Sequence, residues 1–504
     1  MPQSHNFPFI GLRRHLQGAR KCFRINNKRM ITRGFINFFL TENALYKIVE
    51  QILVEQNGFG RSHFGKDEKI QIEFVSANPT GPLSVAHARQ AAVGDALGNI
   101  LKFIDFDVTK EYYVNDGGNQ INLLGASVRI RAEEIFTRRP IPEGILTADH
   151  YHGDYIIDIA RKFIEENKIK SEDDLKSSEI QQKMSKYAVD YLMVIIRKEL
   201  DDFGVHFDVW SNESKVSNKE AVESVLAYLS QKGFLFEKDG ALWFRTTQFG
   251  DDKDRVVRKS DGTVTYLTPD IAYHRNKFER GFSRIFNIWG PDHHGYIPRI
   301  KAAAQALGKS KDDIQVLIVQ LATIYRDGNP ISMSTRRGQY ISLREVMDEV
   351  GVDAARYFFL MRHINAHLEF DLELAKKQTA ENPVYYIQYS HARVFSINKK
   401  AQEAGLTTKT SGFARLTEKE ELELIKQLGQ FPQVLLFCYY QLDPYPLVSY
   451  LHELAIAFHK FYDRCRIVDA EKEVAEERLG LANATRVVVN NGLTLLGVSA
   501  PENM

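Results

Sequence analysis

The chain has 504 residues, too many for one hydrophobic core, so about three to four domains are expected. With 44% hydrophobic and 26% charged residues and no run near the roughly 18 apolar residues that cross a bilayer, membrane-spanning functions are excluded. Lys plus Arg (66) and Asp plus Glu (65) nearly cancel, so any nucleic-acid partner must be held by local patches rather than by the overall field. Three cysteines, Cys22, Cys438 and Cys465, show no metal-type spacing and indicate a reducing interior compartment, taken as the cytoplasm.

Residues 1–33 open the chain as a basic leader. Eight Lys or Arg precede the first acid, Glu42, a bias shared with transit peptides. One Ser and no clear amphipathic repeat favour an atypical, poorly ordered N-terminus instead. From 67 onward strand-like and helix-like pieces alternate, which predicts an α/β fold. "KIQIEFVSA" (69–77) alternates Ile70, Ile72 and Phe74 with Gln71 and Glu73, a strand with one polar face. The turn "NPTGP" (78–82) then delivers the chain to a helix, "AHARQAAVGDALGNIL". Free N–H groups and the dipole make such a helix start a natural phosphate site. Ser84 stands at its lip, and His87, a turn later, is the residue able to supply a donor.

Residues 126–249 interrupt the alternation and read as an insertion. Charged helical runs come first, then "GFLFEKDGALWFRTT", a hairpin turning at Asp239-Gly240. "RIFNIWG" (284–290), the helix "YIPRIKAAAQALG" (296–308) closed by Gly308, and "IQVLIVQLA" (314–322) form a strand, helix and strand in parallel-crossover order. The last of these reads as a strand buried on both faces. A second phosphate-loop candidate, "DGNPISMSTRRGQYISLRE" (327–345), follows it with Arg336, Arg337 and Gly338; a surface turn with solvated arginines is the alternative. In "DHHG" (292–295) the adjacent histidines point to different faces, which argues against a metal pair; no metal site is expected. From about 351 the chain is almost wholly helical. "NPVYYIQYSHARVFSI" (382–397) interleaves tyrosines with Arg393, which suits unstacked bases or plain core packing.

The segments "EFVSANPTGPLSVAHAR", "YYVNDGGNQI", "DDKDRVVRKSDGTVTYLTPDIAYHRNKFERGF", "WGPDHHGYIPRIKAA", "MSTRRGQYISLRE", "GVDAARYFFLMR", "FDLELAKKQTAENPVYYIQYSHAR" and "NNGLTLLGVSAPENM" together resemble the arginyl-tRNA synthetases of class I, from about residue 34 to the end. The resemblance implies a Rossmann-type parallel-sheet catalytic domain (67–125 and 250–350) carrying the insertion. It also implies a connecting helical segment (351–382) and an all-α anticodon-binding domain (383–504). Residues 34–66 resemble only a remnant of the family's N-terminal domain, which contacts the tRNA elbow.

The implied activity has two steps: arginine and ATP give arginyl-adenylate, and the arginyl group then passes to tRNA(Arg). The partners are therefore L-arginine, ATP with Mg²⁺ on its phosphates, and tRNA(Arg), used by a monomer. An arginine substrate presents a planar fork of donors that carboxylates and aromatic faces meet. The resemblance assigns it to Glu73, Ser76, Asn78, Tyr266 and Asp270; the alternative for Asp270 is a helix cap after Pro269. ATP is assigned to Pro82, Ala86, His87, Gly290, Asp292, His293, Met333, Ser334 and Arg336, and tRNA to Tyr389 and Arg393.

Departures fall in the ATP half. The family's "HIGH" motif reads Ser84-Val85-Ala86-His87, and its "KMSKR" loop reads Ser332-Met333-Ser334-Thr335-Arg336. The expected catalytic set is thus His87, Ser84 and Arg336, with Lys69 as a substitute cation, and reduced efficiency is expected. The rival expectation is a noncatalytic paralogue that binds arginine or tRNA.

Overall fold

A computed structural model describes residues 23–24, 39–331 and 341–504. The leader's remaining residues and the motif residues Ser332, Met333, Ser334, Thr335 and Arg336 lie outside the described residues.

Five strands form the central sheet: β1 (Glu68–Glu73), β2 (Phe106–Val114), β3 (Val209–Asn212), β4 (Arg284–Trp289) and β5 (Ile314–Ile318). They lie in the order β5-β4-β1-β2-β3, and every pairing is parallel. This is the doubly wound arrangement. Its strand order reverses at β1, so the ligand crevice is expected at the carboxyl ends of β1 and β4. Helix α1 (Val85–Phe103) follows β1, α2 (Leu267–Glu279) precedes β4, and α3 (Ile297–Ala306) joins β4 to β5 as the predicted crossover. Gly308 ends that crossover with φ +82°.

Three readings change at this level. The polar face of β1 is not solvated: Gln71 and Glu73 are buried, Glu73 against Lys277 of α2 and Gln71 against Glu111 of β2. β5 is an edge strand, so only Ile314 and Leu317 are buried while Gln315, Val316 and Ile318 are half-exposed. It also ends at Ile318. Ala322–Arg326 belongs to a separate small sheet, parallel to Leu368–Asp371 and antiparallel to Asn329–Pro330. Within 126–249 the hairpin Leu235–Lys238 with Ala241–Phe244 turns at Asp239 (φ 53°) and Gly240 (φ 72°), the primed-turn geometry that "DG" favours. That span nevertheless returns to the central sheet once, as β3.

The C-terminal third is helical apart from Leu368–Asp371, and includes α4 (Pro383–Glu403) and α5 (Lys472–Leu496). Among the described residues no helix is long and apolar enough to cross a membrane. Helix α1 is fastened to this part through buried charge. Asp95 bonds Lys110 (2.6 Å) and Arg356 (2.5 Å), and Arg356 also donates to the Leu496 carbonyl.

At the other face of α1, Gly94 rests on β1's exit. A Cβ there would stand 2.3 Å from Phe74 Cγ, and the Phe74 ring is buried against Phe207 at 4.4 Å. Gly94→Ala should therefore cost about 1–3 kcal/mol by overpacking, read as a lower melting temperature; an unchanged melt would show that Phe74 can yield.

Candidate active site

β1 ends in a strained turn. Val75 (φ 65°) and Ser76 (φ 38°) are left-handed without being glycine, and for a β-branched residue that is a true outlier. The strain aims Ser76: its Oγ donates to Glu73 Oε1 (3.1 Å) and accepts from the Tyr113 N–H (3.1 Å). Asn78, exposed beyond the turn, donates from Nδ2 to Gln120 Oε1 at 2.7 Å.

The chain then enters α1. Ser84 is its N-cap, and the Ser84 N–H donates to His87 Nδ1 at 3.2 Å while Ser84 Oγ lies 3.1 Å from the same nitrogen. An Nδ1 that accepts leaves the imidazole proton on Nε2. Burial in the cleft pushes the His87 pKa down to about 4, against the opposing charge of Asp292, so the ring is neutral. His87 is therefore an uncharged N–H donor at a helix start, and Ser84 orients it. Ala86 and Pro82 flank it, both half-exposed.

The start of α1 is also tied to the far side of the second loop. Ser84 and Ser342 form an antiparallel bridge, Val85 N–H donates to the Ile341 carbonyl (3.3 Å), and Leu343 N–H donates to the Leu83 carbonyl (2.8 Å). Both candidate phosphate loops thus anchor at one point.

Across the crevice, β4 ends at Trp289 and Gly290 begins a short 3-10 turn, Pro291–Tyr296. A Cβ on Gly290 would meet Asp292 Oδ1 at 2.6 Å, so the glycine leaves room for the Asp292 carboxylate. Asp292 and His293 are exposed and 3.3 Å apart, with His293 against the Trp289 ring at 5.9 Å.

Lys69 is not part of this assembly. It lies at the amino end of β1, about 13 Å of strand from Glu73 at ~3.3 Å per residue. Its Nζ donates to the Arg280 carbonyl at 3.1 Å and sits 5.1 Å from the Phe282 ring centroid. Sequence adjacency to the first motif concealed that a strand separates the two.

Behind the turn lies an acidic pocket. Tyr266 is the N-cap of α2 and is 81% exposed at the pocket's rim. Asp270, one turn in, does not cap the helix: its Oδ2 accepts from Tyr296 OH at 2.5 Å. Burial first, and then the charges of Glu73 and Glu213, push Asp270 up to about 7, against the Tyr296 hydrogen bond and Lys277. Burial and the charges of Glu213, Asp270 and Glu73 together raise Tyr113, which locates three carboxylates around one phenol. Glu213, missed in the sequence, follows β3 in the span read as insertion; its own pKa is raised, by burial first. No local motif marked it, and only the return of 209–212 to the sheet brings it here. Glu73 is paired with the fully buried Lys277 at 2.5 Å.

Farther away on α4, Arg393 lies between Tyr389 (4.7 Å) and Tyr462 (5.1 Å), and Tyr385 stacks on Tyr389 at 6.3 Å. These side chains are half-exposed, as is Tyr386, and both Tyr386 (4.5 Å) and Tyr389 (5.9 Å) pack against His459.

Known proteins agree with this layout. The model for class I tRNA synthetases (R), catalytic domain, matches residues 48–394, and that for the DALR anticodon binding domain matches 387–504. The Arginine–tRNA ligase of Syntrophotalea carbinolica is 45% identical over 94% of this chain and 85% of its own length. A solved chain from Campylobacter jejuni superposes with TM-score 0.81 at 33% identity, covering 92% of this chain and 100% of its own. The Thermus thermophilus arginyl-tRNA synthetase shares the fold, with TM-score 0.73 at 20% identity over 94% of this chain and 87% of that one. The catalytic match alone spans more than half the sequence, so the chain belongs to the arginyl-tRNA synthetase family of class I.

Proposed function

We propose that the acidic pocket takes the guanidinium of L-arginine, and that the α1 start takes the phosphates of ATP, in an arginine–tRNA ligase. The carrying observation is the convergence of Glu73, Asp270 and Glu213 at the carboxyl end of β1, beside a neutral His87 at a helix N-terminus. One face of the crevice suits a planar cation and the other an anion. Ser76 and Asn78, between them, would meet the α-amino and α-carboxylate groups. The arginine carboxylate then attacks the α-phosphorus and pyrophosphate leaves, and a hydroxyl of the 3′-terminal ribose of tRNA(Arg) takes the arginyl group from the adenylate as AMP leaves.

This chain's residues orient the reactants and offer donors where charge develops. Met333, Ser334 and Arg336 would complete the phosphate side; Gly290, Asp292 and His293 would line the nucleotide wall. Mg²⁺ arrives with the ATP phosphates, whose charge it offsets. Among the described residues no group of three His, Cys, Asp or Glu side chains is placed to hold a metal. On α4, Tyr389 and Arg393 offer a stacking platform and a cation to anticodon bases, within a unit we place at 383–504. We place the enzyme in the cytoplasm as a monomer. Reduced efficiency rests on the motif substitutions alone, and the comparisons do not support it.

The test is arginine-dependent ATP–pyrophosphate exchange with tRNA(Arg) present, followed against pH. A guanidinium favours ionised Asp270, so arginine affinity should fall about tenfold per unit as pH drops below about 7 and level off above it. Arginine binding without any exchange would instead establish the noncatalytic reading.

A further inference from the structure

Beneath the acidic pocket a run of buried hydrogen bonds joins Glu73 to the backbone of Asp270. Lys277 Nζ donates to Glu73 Oε2 (2.5 Å) and to Asn287 Oδ1 (3.0 Å). Asn287 Nδ2 lies 3.0 Å from His274 Nε2, and His274 Nδ1 lies 2.8 Å from the Asp270 carbonyl oxygen. A carbonyl can only accept, so His274 carries its proton on Nδ1, its Nε2 accepts from Asn287, and the direction of every bond is set. Lys277 and Asn287 are fully buried and His274 is 4% exposed. Burial, assisted by the Lys277 charge, holds His274 at a pKa of about 3, so it takes part as a neutral ring.

The charges around Glu73 give this chain its meaning. Asp270 on α2 feels the charge of Glu73, and that of Glu213 after β3. Glu111 of β2 lies behind, held by Gln71, Ser211, Tyr273 and Arg280 at 2.6–2.7 Å. Arg280 is thus taken by Glu111, and Lys277 is the cation on Glu73. A buried ammonium is costly unless it is paired. Here its partner is a carboxylate already assigned to the substrate pocket, and the pairing occupies Oε2 while Oε1 stays with Ser76.

We propose that Lys277 is a positioning residue for arginine recognition. It fixes Glu73 through Oε2 while Oε1 stays with Ser76, and it ties this geometry to Asp270 through Asn287 and His274. The proposal rests on the reading of the acidic pocket as the arginine site.

Calorimetric titration of arginine into the full chain tests it, with ATP titration as the check on folding. In Lys277→Met, Glu73 Oε2 and Asn287 Oδ1 lose the donor they share. Arginine affinity should then be about tenfold weaker. Lys277→Arg, which keeps a cation, should stay within about threefold. The double variant Lys277→Met with Glu73→Gln carries no unpaired buried charge, so it remains informative if the single variant does not fold. It should show the weakening as well. Wild-type affinity in Lys277→Met, or a loss in Lys277→Arg as large as in Lys277→Met, would overturn the proposal. Wild-type protein that binds no arginine at any pH would instead overturn the pocket assignment on which it rests.

Discussion

Asp270→Asn should raise the KM for arginine about 10²-fold while leaving the KM for ATP within about threefold. Removing one partner of a buried charge pair typically costs about 2–5 kcal/mol, or one and a half to three and a half decades at ~1.4 kcal/mol per decade. Asn keeps the shape and one acceptor oxygen for Tyr296 OH, so the loss reports charge rather than packing. The pH dependence supplies the second half of the prediction. In the wild type the raised pKa of Asp270, about 7, makes arginine displace a proton below that pH. Asn has no proton to lose, so this dependence should vanish along with the affinity. An unchanged KM would remove Asp270 from the substrate site; a raised KM that keeps the wild-type pH profile would assign the titration to Glu213.

How far the sequence disclosed this site depended on whether a residue's role was local. The β1 turn, the α1 start and the 284–318 crossover were legible because Gly, Pro and period-two patterns act over a few residues. Gln71 and Glu73 alternate as one polar face of a strand, yet Lys277 of α2 and Glu111 of β2 bury them, and no pattern within β1 could show it. Lys69 failed for the complementary reason: nearness in sequence said nothing about which end of a parallel strand it occupies. Glu213 and Lys277 belong to the pocket only through long-range pairing, of Val209–Asn212 with β2 and of Lys277 with Glu73, 204 residues apart. Acids and lysines on helices usually read as solvated, so neither stood out.

Ser84 changes meaning in the same way. In the sequence it marks a lost histidine; in the fold it is the N-cap whose N–H enters His87 Nδ1. Ser84 thereby fixes the orientation of the one motif imidazole that remains.

That orientation leads to the second large effect. His87→Ala should lower the rate of arginyl-adenylate formation about 10²–10³-fold, the usual cost of losing one preorganised donor to a developing phosphate charge. The KM values for arginine and ATP should change far less, because a donor aimed at the transition state contributes little to ground-state binding. The sign of the pH dependence discriminates between two ways the residue might act. An imidazolium would lose its charge, and the rate would fall, as pH rose through about 6.5. With the pKa at about 4, the neutral Nε2–H donor persists at every higher pH, so His87 should impose no decline between pH ~5 and ~8. Below that range the ring must take a proton on Nδ1, which breaks its acceptance from Ser84. The unfolded ring, with its pKa near 6.5, binds that proton first. The local structure should therefore lose stability as pH falls from about 6.5 to about 4, and regain it on the return. His87→Asn keeps a side-chain N–H donor and should recover part of the rate. Exchange by His87→Ala within about twofold of wild type would show that the phosphate charge is met elsewhere, with the 332–340 loop as the place to look.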